Sequence, residues 1–452
     1  MLFERIESKG LAHYSYLIAD GTQAVVIDPR RDCDIYVKRT VQEGFRIATI
    51  LETHRNEDYV VGSVELAART GAEIWHADWE LPYEYGQAVE DGQTWQVGRL
   101  RIRAIHTPGH TPGSMSYLLH DPDGFPWVVF TGDALFAGDV GRTDLVDVDR
   151  KDEMANLLYD SLFNKLLPLG DHVVVCPGHG SGSVCGAAIA ERVWTTIGLE
   201  KRHNAKLQLT DRDEFVAETA KVLERPPYFQ RMEVWNLAGA PLLGSMPSAA
   251  PLDAGEFEQR ARDGQILDTR MELGFSAAHV PGATSIWLDG VPSFAGWFLN
   301  TEQPLLLVNK TDDSTEAMRY LLRIGFDNVA GTLADGMMSW HRSGRRSVAT
   351  KTVVVQELCT LLDRHENAWI LDVRSSDEIE SDGEIGGAHH IHVTQLPERM
   401  NEVPQDRSIY IFCGSGLRSM IGASLLQRAG WDDVTVVLGG LAGWSSITCP
   451  IR

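Results

Sequence analysis

The first 245 residues alternate short apolar runs with polar loops, a pattern that predicts β-strands connected through a surface rich in Gly, His and Asp. Four of these runs end directly in a histidine or an aspartate, within RIATILETH (46–54), LRIRAIHTPGH (100–110), PWVVFTGD (126–133) and HVVVCPGH (172–179). Loops at strand ends are where proteins commonly place functional side chains. We therefore expect one site to be assembled from these four loops.

The remainder of the chain contains an internal repeat. A linker rich in Pro, Ser and Ala occupies 243–252, after which ILDTR at 266–270 reappears as ILDVR at 370–374. At the same spacing Asn309 falls opposite Cys413. Each copy alternates strand and helix patterns, which predicts a parallel, doubly wound α/β domain. With a short link at 347–352, the predicted domains cover 1–245, 250–347 and 352–452.

Length and composition agree with a multidomain α/β protein. The chain has 452 residues, of which 43% are hydrophobic and 23% charged, and about 150 residues per domain is typical. The net charge of −22 argues against a nucleic-acid partner, because phosphates would be repelled. The apolar runs are too short for a signal peptide or a membrane span, so we expect no membrane partner and a cytoplasmic protein. The six cysteines include no C-x-x-C pair, and the default for each is a buried thiol.

The strand-end motifs occur in a recognisable order: Thr53-His54 leading to Asp58-Tyr59, then Gly109-His110, Gly132-Asp133 and Gly178-His179. This set resembles the metallo-β-lactamase superfamily over residues 1–240, especially its glyoxalase II and persulfide dioxygenase branches. The resemblance implies an αββα sandwich carrying a metal site.

Two departures from the family pattern indicate the kind of metal site. The two-metal hydrolases carry T-H-x-H-x-D-H, whereas this chain has Asn56 and Tyr59 at the second and third histidines of that pattern. A stable dinuclear zinc centre is therefore not expected. The remaining His54, His110 and Asp133 form the two-histidine, one-carboxylate set of mononuclear iron(II) oxygenases. Zinc is the alternative metal, but it has no redox chemistry with which to activate O₂.

The resemblance to persulfide dioxygenases implies roles for further residues. It implies that iron is held by His54, His110 and Asp133, while a group of neighbours orients ligands or substrate. This group consists of Asp58, Tyr59 and His179. The run Gly138–Asp144 also resembles that branch. It suggests that Arg142 binds the persulfide anion and that Asp144 orients this arginine.

A second candidate site lies at 413–418, between the strand SIYIF and an amphipathic helix. Two glycines allow backbone N–H groups to turn towards Cys413, and the helix N-terminus and Arg418 favour a thiolate. This loop resembles that of rhodaneses and single-domain sulfurtransferases, which implies that Cys413 and Arg418 are catalytic. Cysteine phosphatases use C-x₅-R, and the C-x₄-R loop here, one residue shorter, favours a persulfide over phosphate.

The first repeat has lost the sulfur-carrying residue, because Asn309 stands where the second has Cys413. An amide cannot carry sulfur, so we expect this rhodanese-like copy to be catalytically silent. Its role would be structural, either by packing the metal domain against the active copy or by mediating a dimer. Asp268 and Arg270 are then expected to form a structural ion pair.

These features predict an iron(II)-dependent oxidation of a low-molecular-weight thiol persulfide by O₂ to sulfite, coupled to sulfur transfer at Cys413 that forms or uses thiosulfate. Two alternatives stay open: a glyoxalase II-like thioester hydrolase with a degenerate site, and a non-oxidising persulfide carrier that needs only Cys413. The thiol could be glutathione, coenzyme A, bacillithiol or inorganic polysulfide. The sequence also permits a homodimer.

Overall fold

The computed structural model describes residues 1–186, 188–363 and 368–444. Contact clustering divides the chain into two compact units. The first comprises Met1–Pro247 with Leu322–Gly325, and the second comprises Ser248–Leu321 with Phe326–Arg452. The predicted domain limits at 245–250 and 347–352 stay a prediction.

The first unit contains two mixed sheets of six strands each among the residues described. The first sheet has the order β1-β2-β3-β4-β5-β6, with strands β1 Leu2–Ser8, β2 His13–Asp20, β3 Gln23–Ile27, β4 Arg46–Leu51, β5 Glu73–His76 and β6 Gln87–Ala88. The second has the order β12-β11-β10-β9-β8-β7, with strands β7 Thr94–Val97, β8 Leu100–His106, β9 Met115–His120, β10 Pro126–Gly132, β11 Val174–Pro177 and β12 Thr195–Thr196. Within each sheet the strands therefore follow sequence order.

Helices cover the outer faces of both sheets. The α-helices of this unit are α1 Asp34–Glu43, α2 Ser63–Thr70, α3 Lys151–Asp160, α4 Ile197–His203, α5 Arg212–Thr219 and α6 Phe229–Ala238. Along β2, Tyr16 and Ile18 belong to the core between the sheets, while Leu17 and Ala19 belong to the core beneath the first helices. Along β9 and β10, Leu118 and Val129 face a third core with helix α3. This layering confirms the predicted αββα sandwich.

The second unit repeats one five-stranded parallel sheet. The first copy has the order β13-β17-β16-β14-β15, with strands β13 Pro251–Leu252, β14 Gln265–Asp268, β15 Thr284–Ser285, β16 Leu305–Val308 and β17 Val329–Leu333. The second has the order β18-β22-β21-β19-β20, with strands β18 Lys351–Val354, β19 Trp369–Asp372, β20 His389–His390, β21 Ile409–Phe412 and β22 Val434–Leu438. The shared strand order confirms the internal repeat and its parallel α/β fold.

Ten α-helices connect these strands within the described residues. They are α7 Ala254–Ala261, α8 Glu272–Ala277, α9 Val291–Phe298, α10 Thr315–Arg323, α11 Gly336–Arg342, α12 Val355–Asp363, α13 Ser376–Asp382, α14 Leu396–Arg399, α15 Leu417–Arg428 and α16 Gly440–Trp444. Helix α15 contacts the first repeat: the backbone N–H of Ser285 donates to the Ser424 hydroxyl over 3.1 Å. The first repeat thus supports the helix that follows Cys413.

Two further sequence expectations have outcomes in this structure. Cys33, Cys176, Cys185 and Cys413 are buried free thiols, but Cys359 is disulfide-bonded, so the expectation of a free thiol is wrong there. Cys449 lies outside the described residues. Across the parts of the chain that the structure describes, no helix is long and apolar enough to cross a membrane.

Candidate metal centre and cysteine loop

His54, His110 and Asp133 meet at one edge of the first unit, as the strand-end pattern predicts. His54 follows β4, His110 follows β8 and Asp133 follows β10 directly. The Asp133 Oδ2 atom lies 3.8 Å from His54 Nε2 and 3.5 Å from His110 Nε2. All three side chains are buried. These separations suit two nitrogens and one oxygen around a single metal ion.

Hydrogen bonds on the far side of each ring direct both imidazoles towards this centre. The Thr53 hydroxyl donates to Asp28 Oδ2 over 2.8 Å, so at 2.9 Å it accepts from the Nδ1–H of His54. The Nδ1–H of His110 donates to the carbonyl oxygen of Arg142 over 2.9 Å. With Nδ1 protonated in each ring, the Nε2 lone pairs are available for a metal.

The protonation state of His54 agrees with this arrangement. Burial lowers the pKa of His54 to about 3, against the opposing influence of the Asp133 carboxylate. The Nε2 atom of His110 is buried and lacks a hydrogen-bond partner among the described residues. Neutral imidazoles with unpartnered nitrogens are the form that binds transition metals, so the donor set fits one such ion.

His179 has a carboxylate close to each of its ring nitrogens. Its Nδ1 lies 2.8 Å and 3.0 Å from the two oxygens of Asp133, and its Nε2 lies 2.9 Å from Asp58 Oδ2. Although burial lowers the pKa of His179, the two carboxylates outweigh it and raise that pKa well above its ordinary value. The ring thus lies between the carboxylates of Asp58 and Asp133.

The two substituted family positions face other groups. The Asn56 side chain donates to the backbone carbonyl oxygen of His54 over 3.2 Å. The Tyr59 ring lies against that of His13, with centroids 3.8 Å apart. His13 is thus a neighbour of the site, and its ring centroid is 5.7 Å from that of His179. A second buried group of possible metal ligands, with donor atoms within 4.8 Å of one another, is formed by Asp58, His179 and Cys185.

Two buried side chains near the centre were missed by the sequence analysis. A carboxylate oxygen of Glu57 lies within 4.8 Å of a ring nitrogen of His54 and of one of His110. The Cys185 sulfur lies within the same limit of donor atoms of His110 and Asp133. The position of Glu57, three residues after His54 in the same loop, was the one sequence feature that could have indicated its place near the centre. However, a loop sequence does not fix which way a side chain points.

The Arg142–Asp144 pair lies nearby but is occupied by the protein itself. Arg142 Nε and Nη2 donate to the two oxygens of Asp144, each over 2.7 Å. The remaining N–H groups donate to backbone carbonyl oxygens of Val184, Leu223 and Glu224. Because these bonds use all five guanidinium donors, the geometry does not support the predicted direct contact of Arg142 with a substrate.

Cys413 lies between β21 and α15, in a loop that closes around its sulfur. The Gly416 backbone N–H donates to the Cys413 sulfur over 3.0 Å, and a φ of 111° at Gly416 permits that turn. Gly440 passes so close that a Cβ there would lie 2.0 Å from the Cys413 carbonyl oxygen. Cys413 itself is only 1% exposed.

Arg418 has a partner that the sequence analysis did not identify. Its Nη1 and Nη2 donate to the two carboxylate oxygens of Glu378 over 2.5 Å and 2.6 Å. The hydrogen bonds from Arg418 lower the pKa of Glu378 to about 2. The positive charge expected beside the cysteine is therefore balanced by an ionised glutamate that also fixes its position.

The first repeat preserves the architecture around its lost cysteine. Asn309 is held at both ends of its amide, accepting from the Thr269 hydroxyl over 2.7 Å and lying 3.2 Å from the Thr332 hydroxyl. A cavity of about 140 Å³ remains beside it. Arg270 Nη2 donates to Asp268 Oδ2 over 2.6 Å, as the structural ion-pair prediction requires. The same pair recurs as Arg374 and Asp372 at 2.7 Å.

Family models match these parts of the chain separately. The metallo-beta-lactamase superfamily model matches residues 9–179, and the rhodanese-like domain model matches residues 253–343 and 354–447. The chain belongs to the metallo-β-lactamase superfamily and carries two rhodanese-like domains after its metallo-β-lactamase domain.

Individual relatives divide between two activities. The chain is 30% identical to the mitochondrial persulfide dioxygenase ETHE1 of Bos taurus, over 45% of this chain and 74% of that protein. It is 29% identical to hydroxyacylglutathione hydrolase GloC of Haemophilus influenzae, over 41% of this chain and 87% of that protein. A crystal structure of a metallo-beta-lactamase from Staphylococcus aureus COL matches with a TM-score of 0.66 and 28% identity, covering 74% of this chain and 99% of that one.

Proposed function

We propose that the protein is an iron(II)-dependent persulfide dioxygenase joined to a sulfurtransferase. Thiol persulfide, O₂ and water would yield the free thiol and sulfite in the metallo-β-lactamase domain. The observation that carries this proposal is the meeting of His54, His110 and Asp133 at one buried point. The similarity to the bovine persulfide dioxygenase supports it.

In this proposal His54, His110 and Asp133 hold the metal. Iron(II), when bound, supplies the redox chemistry that O₂ activation needs and that zinc lacks. Thr53 and the Arg142 carbonyl oxygen fix the two rings, while His179 orients the Asp133 carboxylate.

Neighbouring residues keep this centre dry. The site side chains are almost fully buried, which excludes bulk water and strengthens electrostatic interactions with a bound persulfide anion. In this proposal Tyr59, packed against His13, is one of the side chains that exclude water, and Asp58 keeps His179 in place. Arg142 and Asp144 act indirectly in this account, by tying residues 184 and 223–224 to the site.

The second reaction takes place at Cys413. Its thiolate attacks the outer sulfur of thiosulfate, a new S–S bond forms, and the S–S bond of thiosulfate breaks so that its electron pair leaves with sulfite. The reverse reaction lets sulfite from the metal centre take sulfur from a Cys413 persulfide. The Gly416 N–H and the N-terminus of α15 stabilise the sulfur anion in both directions.

A thioester hydrolase is the second candidate, because the chain is also similar to a hydroxyacylglutathione hydrolase. Asn56 and Tyr59 speak against it, since each replaces a histidine with which the two-metal hydrolases hold their metals. A direct comparison tests the proposal: O₂ uptake with glutathione persulfide against hydrolysis of S-lactoylglutathione by the same anaerobically purified protein. We expect O₂ uptake and negligible hydrolysis. Hydrolysis without O₂ uptake would refute the dioxygenase proposal.

Glu378→Gln should lower the kcat of sulfur transfer by about 10-fold to about 100-fold, because a charged group displaced by an ångström commonly costs that much. The glutamine keeps the shape of the side chain but loses the charge that fixes Arg418 through two hydrogen bonds. Thiosulfate:cyanide sulfurtransferase kinetics would measure the change.

The matched control for this prediction is Glu380→Gln on the same helix, an exposed residue that should leave the rate unchanged. Equal rates for Glu378→Gln and the unmodified protein would show that the Glu378–Arg418 pair does not position the loop for transfer.

The remaining expectations from the sequence belong to this proposal. We retain the domain limits 1–245, 250–347 and 352–452, a cytoplasmic location and a homodimer as predictions. The thiol carried by the persulfide stays open among glutathione, coenzyme A, bacillithiol and inorganic polysulfide.

A further inference from the structure

Glu57 brings a second carboxylate close to the two histidines of the metal centre. The side chain is 1% exposed, and one of its oxygens lies within 4.8 Å of ring nitrogens of His54 and His110. It comes from the same loop as His54, three residues further on, at a position between Asn56 and Asp58 where the T-H-x-H-x-D-H pattern specifies no residue type.

The two oxygens of Glu57 differ in their surroundings. Oε1 accepts a hydrogen bond from Arg55 Nη2 over 2.9 Å. Oε2 is buried and has no hydrogen-bond partner in the described part of the chain. His110 Nε2, one of the nitrogens that face the same centre, is also without a partner there. A buried, unpartnered carboxylate oxygen is costly, and a cation beside it would remove that cost.

We propose that Glu57 is a fourth protein ligand of the metal held by His54, His110 and Asp133. This inference rests on the metal centre of the proposed function and changes its composition. Two imidazoles and two carboxylates would balance the charge of a divalent cation. A six-coordinate ion with four protein ligands keeps two positions free, the number that O₂ and a persulfide sulfur need when they bind together.

The competing explanation is that Glu57 serves only as a partner for Arg55. Arg55 is 13% exposed and also lies 3.7 Å from Glu233. Glu233 is more exposed, at 28%, and pairs with Arg225 as well. Glu57 and Glu233 therefore share an arginine. Within the described residues, however, only Glu57 of the two belongs to a buried group of donor atoms suited to a metal.

Glu57→Gln separates the two explanations, because it keeps the shape and removes the negative charge. We expect the affinity for Fe(II), measured anaerobically by competition with a chromophoric chelator, to fall by at least about 10-fold, since even residues that only support a metal ligand commonly contribute that much. The matched control Glu233→Gln should bind Fe(II) as the unmodified protein does. Equal affinities for Glu57→Gln and the unmodified protein would overturn the proposal, as would equal losses in both variants.

Thermal unfolding of the metal-free and Fe(II)-loaded proteins gives an independent readout. If Glu57 is a ligand, Glu57→Gln should reduce the rise in Tm on adding Fe(II). If Glu57 only pairs with Arg55, that rise should be the same as in the unmodified protein, whatever happens to the metal-free Tm. Glu57→Asp, which keeps the charge on a shorter side chain, should bind Fe(II) better than Glu57→Gln, and equal binding by these two variants would also overturn the proposal.

The outcomes distinguish this inference from the proposed function. If Glu57→Gln bound Fe(II) more weakly and the unmodified protein consumed no O₂, Glu57 would stay a metal ligand and the proposed dioxygenase activity would be refuted. If Glu57→Gln bound Fe(II) normally and the unmodified protein consumed O₂, the dioxygenase activity would stand and the assignment of Glu57 as a ligand would be refuted. Absence of Fe(II) binding by the unmodified protein would overturn both.

Discussion

Replacing His110 by alanine is expected to reduce persulfide-dependent O₂ uptake by at least about 100-fold, because even groups that only support a metal ligand contribute about 10-fold to 100-fold to metal affinity or activity. His110 is fully buried, its Nδ1 is fixed on the Arg142 carbonyl oxygen, and its Nε2 lies 3.5 Å from Asp133 Oδ2. Alanine removes this nitrogen and leaves one imidazole in the predicted metal set. Oxygen-electrode rates with glutathione persulfide, together with metal content, would measure the loss.

The control for this variant is His172→Ala. His172 is an exposed histidine whose ring bonds the Pro126 carbonyl oxygen, and its loss should leave O₂ uptake unchanged. His110→Ala should also retain sulfur transfer, because Cys413 lies in a separate fold with its own loop. Full O₂ uptake by His110→Ala would contradict the proposed metal ligands. If neither the unmodified protein nor His110→Ala consumed O₂ and both transferred sulfur, the persulfide-carrier alternative would be favoured.

The second large effect is expected from Cys413→Ser, which should abolish sulfur transfer and leave O₂ uptake unchanged. A hydroxyl cannot carry a sulfane sulfur, and removing a covalent nucleophile commonly costs about 1,000-fold or more. The serine is close to the cysteine in size and can still accept the Gly416 N–H, so the loop should keep its shape. Thiosulfate:cyanide sulfurtransferase rates would check the loss.

Asn309→Ser provides the matched control for this second variant, because Asn309 occupies the corresponding place in the first repeat. Transfer should be unaffected in that variant. Residual transfer in Cys413→Ser together with a loss in Asn309→Ser would contradict the assignment of sulfur transfer to the second repeat.

Much of the fold was predictable because local patterns determine it. Apolar runs of strand length predicted the sheets, and the spacing between ILDTR and ILDVR predicted two copies of one parallel fold. The structure brings His54, His110 and Asp133 together because each follows a buried strand that ends at the same edge of the sandwich. Strand ends are a strong signal, since the strand fixes the position of the residue that follows.

The partners of these residues could not be predicted, because they depend on packing between distant segments. Glu378 reaches Arg418 across 40 residues, and nothing in the local sequence of either indicates the other. Arg142 was expected to bind substrate, but the backbone of residues 223–224 takes up two of its donors. Glu57 lies in a loop, where neither a helical nor a strand period fixes the direction of the side chain.

Metal stoichiometry with coupled O₂ uptake tests the central claim most directly. The protein purified anaerobically and reconstituted with Fe(II) should bind about one ion per chain, as a single two-histidine set requires. It should then consume O₂ only when glutathione persulfide is added, and produce sulfite. Binding of two zinc ions per chain, with no persulfide-dependent O₂ uptake in the Fe(II)-treated protein, would contradict a mononuclear oxygenase and indicate a hydrolase.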